Sequence, residues 1–271
     1  MSYIHGTSPD EQRRLALMND LINTGSLREL ALTAGDRVLD LGAGLGQLAR
    51  LMAHAAGPSG RVVGVEFSRE QLTSSRRLAG LADEAELCDF RLGDAAAPPL
   101  RDEEWGTFDV VHTRFLLEHL PEPSSVISAM LRAARPGGRI VLEDDDHDLL
   151  RLWPEPEGIG AVWSAYQDVY RARGCDPLIG RKLPQLLRDA GVTPLRTTWL
   201  FFGACAGNAA FPSAVANLHG ILTGARDATL ATGSVDAAVF DRALDALSRW
   251  ESTAGASFGY AIAWVEGRKP A

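Results

Sequence analysis

Cysteine is scarce in this sequence, and what there is does not pair. Cys88, Cys175 and Cys205 lie far apart without C-x-x-C spacing and are odd in number, so neither a disulfide framework nor a zinc site is implied and a reducing cytoplasm is the expected location. Long hydrophobic runs are also missing. No apolar stretch approaches the ~18 residues that a bilayer span needs, and the N-terminus turns polar and acidic at once, so neither a membrane partner nor a signal peptide is expected. Nor is there an excess of positive charge: 27 basic and 35 acidic residues give a net charge of −8. With the arginines scattered among acids, no basic face is available to neutralise phosphates, which argues against a nucleic-acid partner. What is present is an ordinary globular composition, 46% hydrophobic over 271 residues, enough for one large α/β domain. The oligomeric state is left open.

The chain is organised around Val38-Leu39-Asp40-Leu41-Gly42-Ala43-Gly44-Leu45-Gly46-Gln47. Arg37 to Leu41 is a short apolar strand, and Gln47 to Ala56 has the Ala/Leu/Met composition of a helix. Glycines suit the turn between them, where the backbone takes positive φ and must approach a ligand too closely for a Cβ. A dinucleotide fingerprint would need G-x-G-x-x-G. From Gly42 that pattern accepts Gly44 but then requires glycine where Gln47 stands, which weakens the reading as an NAD-dependent oxidoreductase.

The pattern that remains, D-x-G-x-G-x-G from Asp40 to Gly46, resembles the first motif of class I S-adenosylmethionine (SAM) dependent methyltransferases. A carboxylate at the strand end suits this ligand, because it attracts the cationic methionine end where a phosphate would be repelled. The next β-branched run, Arg61 to Glu66, ends on a second acid about two dozen residues beyond the glycines, the spacing of a carboxylate that accepts from ribose hydroxyls. Ser68 rather than Glu66 is the natural cap of the helix that follows. Gly93-Asp94-Ala95, after a strand from Glu86 to Leu92, resembles the family's third cofactor motif, with Asp94 suited to the adenine amino group and small Ala95 to a ring nitrogen. Tyr3-Ile4-His5-Gly6 resembles the opening that lies over the cofactor in bacterial small-molecule methyltransferases of the ubiquinone/menaquinone-biosynthesis-like type 11 group. The resemblance therefore implies SAM as cofactor, S-adenosyl-L-homocysteine as product, and a cofactor set of Tyr3, Asp40, Gly42, Ala43, Gly44, Gly46, Gln47, Glu66, Phe67, Gln71, Asp94, Ala95, Thr113 and Arg114.

The alternation continues with a strand from Phe108 to Thr113, a helix from Ser124 to Arg135 and a fifth strand from Arg139 to Glu143. His112, Thr113 and Arg114, at the carboxyl end of the fourth strand, should face the ligand crevice. The expected fold is α/β: a Rossmann-like, seven-stranded, mostly parallel sheet with helices on both faces, an N-terminal helical lid, and a helical cap inserted after the fifth strand. One methyltransferase domain is expected over 1–271, divided into a lid (1–34), a SAM-binding core (35–148), and a substrate cap with the C-terminal strands (149–271). Ser8, Pro9 and Glu11 mark the start of a first helix to about Asn23, with a second from Ser26 to Leu32. Within the cap, Trp163, Tyr166 and Tyr170 share one face of a helix from Glu157 to Arg173, offering an apolar wall to a small-molecule substrate. Residues 203–233 carry no assignable role.

Methyl transfer from a sulfonium is an in-line displacement that needs proximity and exclusion of water, and a base only when the acceptor holds a proton. His147 and His119 are the catalytic candidates by position, with His219 a third. The neighbouring acids Asp144, Asp145, Asp146 and Asp148 should raise the pKa of His147. That acidic run could dock an amine or hold Mg²⁺, but no metal is expected, because consecutive residues of an extended segment point to opposite faces. Methylation of exocyclic base amines would call for Asn/Asp-Pro-Pro-aromatic where His112-Thr113-Arg114-Phe115 stands, and the Pro-Cys nucleophile of cytosine C5 methylation is absent. A non-catalytic SAM-fold binder remains an alternative, since a fold does not fix a function.

Overall fold

The computed structural model describes residues 9–270, with side chains from Met18 onward apart from Asp20, Leu21, Pro194 and Leu195. The expected helix cap at Ser8, and Tyr3 and His5, lie outside these residues. Strands β1 (Arg37–Leu41), β2 (Arg61–Glu66), β3 (Cys88–Leu92), β4 (Phe108–Arg114) and β5 (Ala134–Asp145) pair in parallel in the order β3-β2-β1-β4-β5. Helices α2 (Gln47–Ala56), α3 (Arg69–Leu81) and α4 (Pro123–Ala133) supply crossovers between them. The sheet is completed by β7 (Thr193–Cys205) and β8 (Ser257–Arg268), with β8 antiparallel to β5 on one side and to β7 on the other. A short eighth strand, β6 (Arg151–Trp153), pairs with Ser257–Gly259 beyond the end of β5, so the sheet has one strand more than the sequence suggests.

Alternation along the central strands divides the core into two layers. Leu39, Leu41, Val63, Val65, Val111, Ile140 and Leu142 point to the face covered by α4 and α6 (Leu183–Asp189). Val38, Val62, Val110 and Val141 point to the other, covered by α2, α3 and the N-terminal helix α1 (Pro9–Leu30). Such side chains are wholly buried, each contributing about 1.5–3 kcal/mol by leaving water. Helix α1 runs unbroken through Gly25, where two helices were expected. The cost of glycine inside a helix is about 1 kcal/mol, and the packing of Ile22 and Leu30 on the sheet exceeds it.

The cap is built from both remaining connections. Between β5 and β7 the chain forms β6, α5 (Ile159–Ala172) and α6. Between β7 and β8 it forms α7 (Phe211–Gly224), α8 (Arg226–Ala231) and α9 (Ala237–Trp250), the last capped by Asp236. Helices α5, α7 and α9 share a third apolar core around Val162, Phe211, Leu222, Phe240 and Leu247. The segment before β7 is divided: Ile179–Lys182 is a 3₁₀ turn, and α6 begins at Leu183 with Pro184 in its first turn.

Candidate active site

At the carboxyl end of β1 the chain turns through Gly42, Gly44 and Gly46, all with positive φ. Gly42 and Ala43 donate to the Val65 carbonyl at 2.9 and 3.0 Å, tying the loop to β2. Gly44 N–H donates to Glu66 Oε2 at 2.9 Å and Ser68 N–H to Oε1 at 2.7 Å. Burial nevertheless lifts the Glu66 carboxyl above its ordinary value, with these backbone donors pulling it back. Ser68 caps α3 by accepting from Gln71 N–H, as the sequence suggests.

Asp40, Gly42, Ala43, Gly44, Gln47, Glu66, Phe67, Gln71, Asp94, Ala95 and Arg114 all line one cavity of about 690 Å³. Asp94 is exposed and closes a small turn by accepting from Ala96 N–H, and Phe67 is 65% exposed, a large apolar side chain left out of the core. Two members of the expected set stand elsewhere. Gly46 does not reach the cavity wall: a Cβ there would meet the Phe90 ring at 2.5 Å, so glycine is required by packing against β3 and by a φ of +72°. Thr113 points to the opposite face from its neighbours and donates to the Leu41 carbonyl at 2.9 Å. Period-two alternation makes this unavoidable, since His112 and Arg114 both face the cavity.

Behind the glycine loop lies a buried polar chain. His112 is hydrogen-bonded through Nδ1 to Asp40 Oδ1 at 2.8 Å, and its Nε2 is 3.7 Å from Glu143 Oε2. Burial works against the imidazolium, but the carboxylates at either ring nitrogen outweigh it and raise the His112 pKa. Glu143 Oε1 accepts from Ser26 at 2.7 Å, and Ser26 in turn accepts from Arg114 Nη1 at 2.9 Å. Immediately after Arg114 the backbone reverses, with Phe115 at φ +52° under the guanidinium.

The far end of the cavity is aromatic and acidic. Trp163, Tyr166 and Tyr170 of α5 do line it, with the Tyr166 and Tyr170 hydroxyls 2.8 Å apart. His147 stacks on Tyr166 at 5.5 Å and meets Tyr170 edge-on at 5.0 Å. Its Nε2 is 2.9 Å from Glu118 Oε2, and His119 Nε2 is 3.4 Å from Glu118 Oε1, so one carboxylate sits between the two expected histidines. The expectation for the His147 pKa is reversed. Burial lowers it, and the nearby Asp145, Asp146 and Asp148 only partly compensate. The acids are otherwise engaged: Asp144 accepts from Leu117 N–H and Asp145 N–H, while Asp146 and Asp148 accept from Arg181. Asp145 alone of the four lines the cavity, and burial beside Glu118 holds its carboxyl well above the usual range. Among the described residues, Glu118, Asp145 and His147 are one group whose ligand atoms come within 4.8 Å of one another, a juxtaposition absent from the sequence reading. His219 instead pairs with Thr223 on α7.

Sequence reasoning passed over Glu118, Asn19, Tyr260 and the α7 residues Val215, Leu218 and Ile221, all of which line the cavity. Glu118 had a visible signal in its position beside His119. The α7 residues had none beyond their membership of an apolar helix. No helix among the described residues is long and apolar enough to cross a membrane.

Comparison with known proteins agrees with this geometry. A methyltransferase-domain family model matches residues 32–191. The chain is 32% identical over 191 residues to 27-O-demethylrifamycin SV methyltransferase of Amycolatopsis mediterranei, a match covering 70% of this chain and 66% of the relative. It spans less than two thirds of the length of the curated relatives it matches. Among solved structures, a SAM-dependent methyltransferase from Aquifex aeolicus superposes with a TM-score of 0.54 at 19% identity, covering 70% of this chain and 92% of that one. The geranyl diphosphate C-methyltransferase of Streptomyces coelicolor A3(2), solved with Mg²⁺, geranyl diphosphate and S-adenosyl-L-homocysteine, superposes with a TM-score of 0.53 at 16% identity, covering 90% and 77%. The chain therefore belongs to the class I S-adenosylmethionine-dependent methyltransferase family, whose cofactor is S-adenosylmethionine.

Proposed function

We propose that this chain transfers the methyl group of SAM to a small, partly apolar molecule held in the distal part of the cavity. The observation that carries this reading is that the glycine-loop end and the aromatic end are one continuous space, so an acceptor under α5 and α7 has a direct line to the cofactor. Residues 1–34 act as lid, 35–148 as cofactor core, and 149–271 as substrate cap with the C-terminal strands. Asp40 and Gly42 hold the methionine amine, Glu66 the ribose hydroxyls and Asp94 the adenine amino group. Catalysis is mainly the holding of the acceptor atom about 3–3.5 Å from the methyl carbon in a water-poor pocket.

If the acceptor is a hydroxyl, its proton goes to His147. With Nε2–H donated to Glu118, the lone pair lies on Nδ1, which is buried without a hydrogen-bond partner among the described residues, so an acceptor reaches it only when the packing around the ring gives way. Burial keeps the ring neutral at pH 7, the form a base requires. An acidic surface offers polyanions no attraction, which favours a metabolite over a nucleic acid. The test supplies methyl-labelled SAM with a panel of small hydroxyl, amine and carbon acceptors beside bulk RNA and folded protein. Label is expected in small molecules, and faster labelling of RNA or protein overturns the proposal.

A further inference from the structure

The residues assigned to the amine, ribose and adenine leave the carboxylate of SAM, the ligand's one anionic group, without a partner. Two guanidinium groups line the cavity, those of Arg69 and Arg114. Arg69 is exposed at the start of α3, three residues past the expected ribose acid Glu66 and one past its cap Ser68. Arg114 ends β4, two residues beyond His112, whose register partner is Asp40 on β1. The amine and carboxylate of the ligand share one carbon. An amine at Asp40 and Gly42 therefore leaves the carboxylate within a short reach over the ends of β1 and β4, on the side away from Glu66.

The setting of Arg114 is built. Nη1 donates to Ser26 Oγ at 2.9 Å, and Nη2 donates to Asn19 Oδ1 at 2.5 Å and Asn23 Oδ1 at 2.8 Å. Asn19, Asn23 and Ser26 stand at i, i+4 and i+7, one stripe of α1. Among the described residues the guanidinium's hydrogen-bond partners are thus neutral oxygens, occupying three of its five N–H donors. The Glu143, Asp40 and Asp145 carboxylates favour its charge from nearby, but none is among its hydrogen-bond partners. A charged donor hydrogen-bonded only to neutral oxygens at a cavity wall suits a small anion, because the charge-assisted bond it forms is stronger than those it already makes.

We infer that Arg114 receives the carboxylate of SAM and, through Asn19, Asn23 and Ser26, docks helix α1 when the cofactor binds. This rests on the cofactor assignment and adds a role for the lid: Met18, Asn19 and Ile22 of α1 line the same cavity, so a cofactor that fixes Arg114 also fixes part of the cavity wall.

The test compares S-adenosylhomocysteine with its decarboxylated analogue, which keeps the amine, ribose and adenine. Calorimetry on the wild type should show the analogue binding roughly ten- to hundredfold more weakly, and Arg114→Gln should weaken S-adenosylhomocysteine alone, so that the preference shrinks below about threefold. A preference that survives in Arg114→Gln overturns the inference. Should that variant not fold, the wild type still decides. Amide exchange over residues 18–30 should slow with S-adenosylhomocysteine and not with the analogue, and equal protection by both overturns the docking role. Failure of both ligands to bind the wild type would instead refute the cofactor assignment.

Discussion

Glu118 lies 2.9 Å from Nε2 of His147, across a separation of 29 residues in the chain, and the same carboxylate faces His119 at 3.4 Å. The two histidines named from position alone are thereby parts of one buried unit centred on a residue that was not named. An ionised Glu118 favours the His147 tautomer with its proton on Nε2, and the Tyr166 ring stacks on the imidazole.

The first prediction follows from that unit. His147→Asn should lower turnover of a hydroxyl acceptor about tenfold to a hundredfold while leaving S-adenosylhomocysteine affinity unchanged, with a smaller effect for an amine or carbon acceptor. Because burial lowers the His147 pKa below its ordinary 6.5, the acid limb of the wild-type rate profile should lie below pH 6.5 and vanish in the variant. Single-turnover rates against pH check this; an unaltered profile would leave His147 structural.

The same shift carries a stability consequence of definite sign. Above the ordinary histidine value the ring is neutral in both states and contributes nothing to the pH dependence. As pH falls below it, the unfolded chain takes up a proton that the buried ring refuses, and stability declines. His112 acts oppositely: its raised pKa gives a contribution that is complete below the ordinary value and is lost as pH rises through the folded one. Urea denaturation between pH 5 and about 8 should therefore show a shallower acid decline in His147→Asn than in wild type, and a steeper one in His112→Asn.

The cofactor end was legible because its chemistry is local. A strand ending on Asp40, glycines at fixed offsets and a second strand ending on Glu66 dictate the ligand side within thirty residues, and the structure lines the cavity with both acids. The rest of the cavity was not, since its geometry depends on contacts made across the fold. Asn19 and Asn23 meet Arg114 from 95 and 91 residues away, and nothing in their neighbourhood announces it. His147 shows the limit most clearly. Four flanking aspartates argue for a raised pKa, but the sequence cannot reveal that Arg181 already engages Asp146 and Asp148, or that burial dominates.

Glu66 should be the most sensitive single position for cofactor affinity. Glu66→Ala removes an acceptor for the ribose and also the partner of Gly44 N–H and Ser68 N–H, so a loss of about 1.5–3 kcal/mol in SAM binding is expected, with a drop in melting temperature. Glu66→Gln, which retains one acceptor oxygen, should lose less. Calorimetry giving wild-type affinity for Glu66→Ala would remove this residue from the site.

Gly46 separates packing from ligand contact. Gly46→Ala places a methyl 2.5 Å from Phe90 Cζ and keeps a φ of +72°, so destabilisation by about 1–3 kcal/mol is expected from overpacking, with backbone strain in addition. Phe90→Leu in the same chain should recover part of the overpacking and none of the backbone strain. A double-mutant cycle by urea denaturation measures the coupling, and strict additivity would show that the ring is not what excludes the methyl.

Substrate selection should reside in α7. Val215, Leu218 and Ile221 fall at i, i+3 and i+6 of that helix and line the cavity, as do Glu118, Asp145 and Tyr166. Leu218 is 7% exposed, so the cavity surface it presents is small and a larger side chain must project into the open space or displace its neighbours. Leu218→Trp is expected to fill acceptor volume while leaving the glycine loop untouched. For the best acceptor found in the panel, KM should rise about tenfold or more, corresponding to loss of one or two buried methylene contacts and some steric exclusion, while S-adenosylhomocysteine affinity holds within about twofold. Leu218→Ala should do the reverse for bulkier acceptors, raising their kcat/KM relative to the smaller ones. Steady-state kinetics on a size-graded series checks both directions, and a specificity order unchanged in either variant would place the acceptor away from α7, against the wall formed by α5 alone.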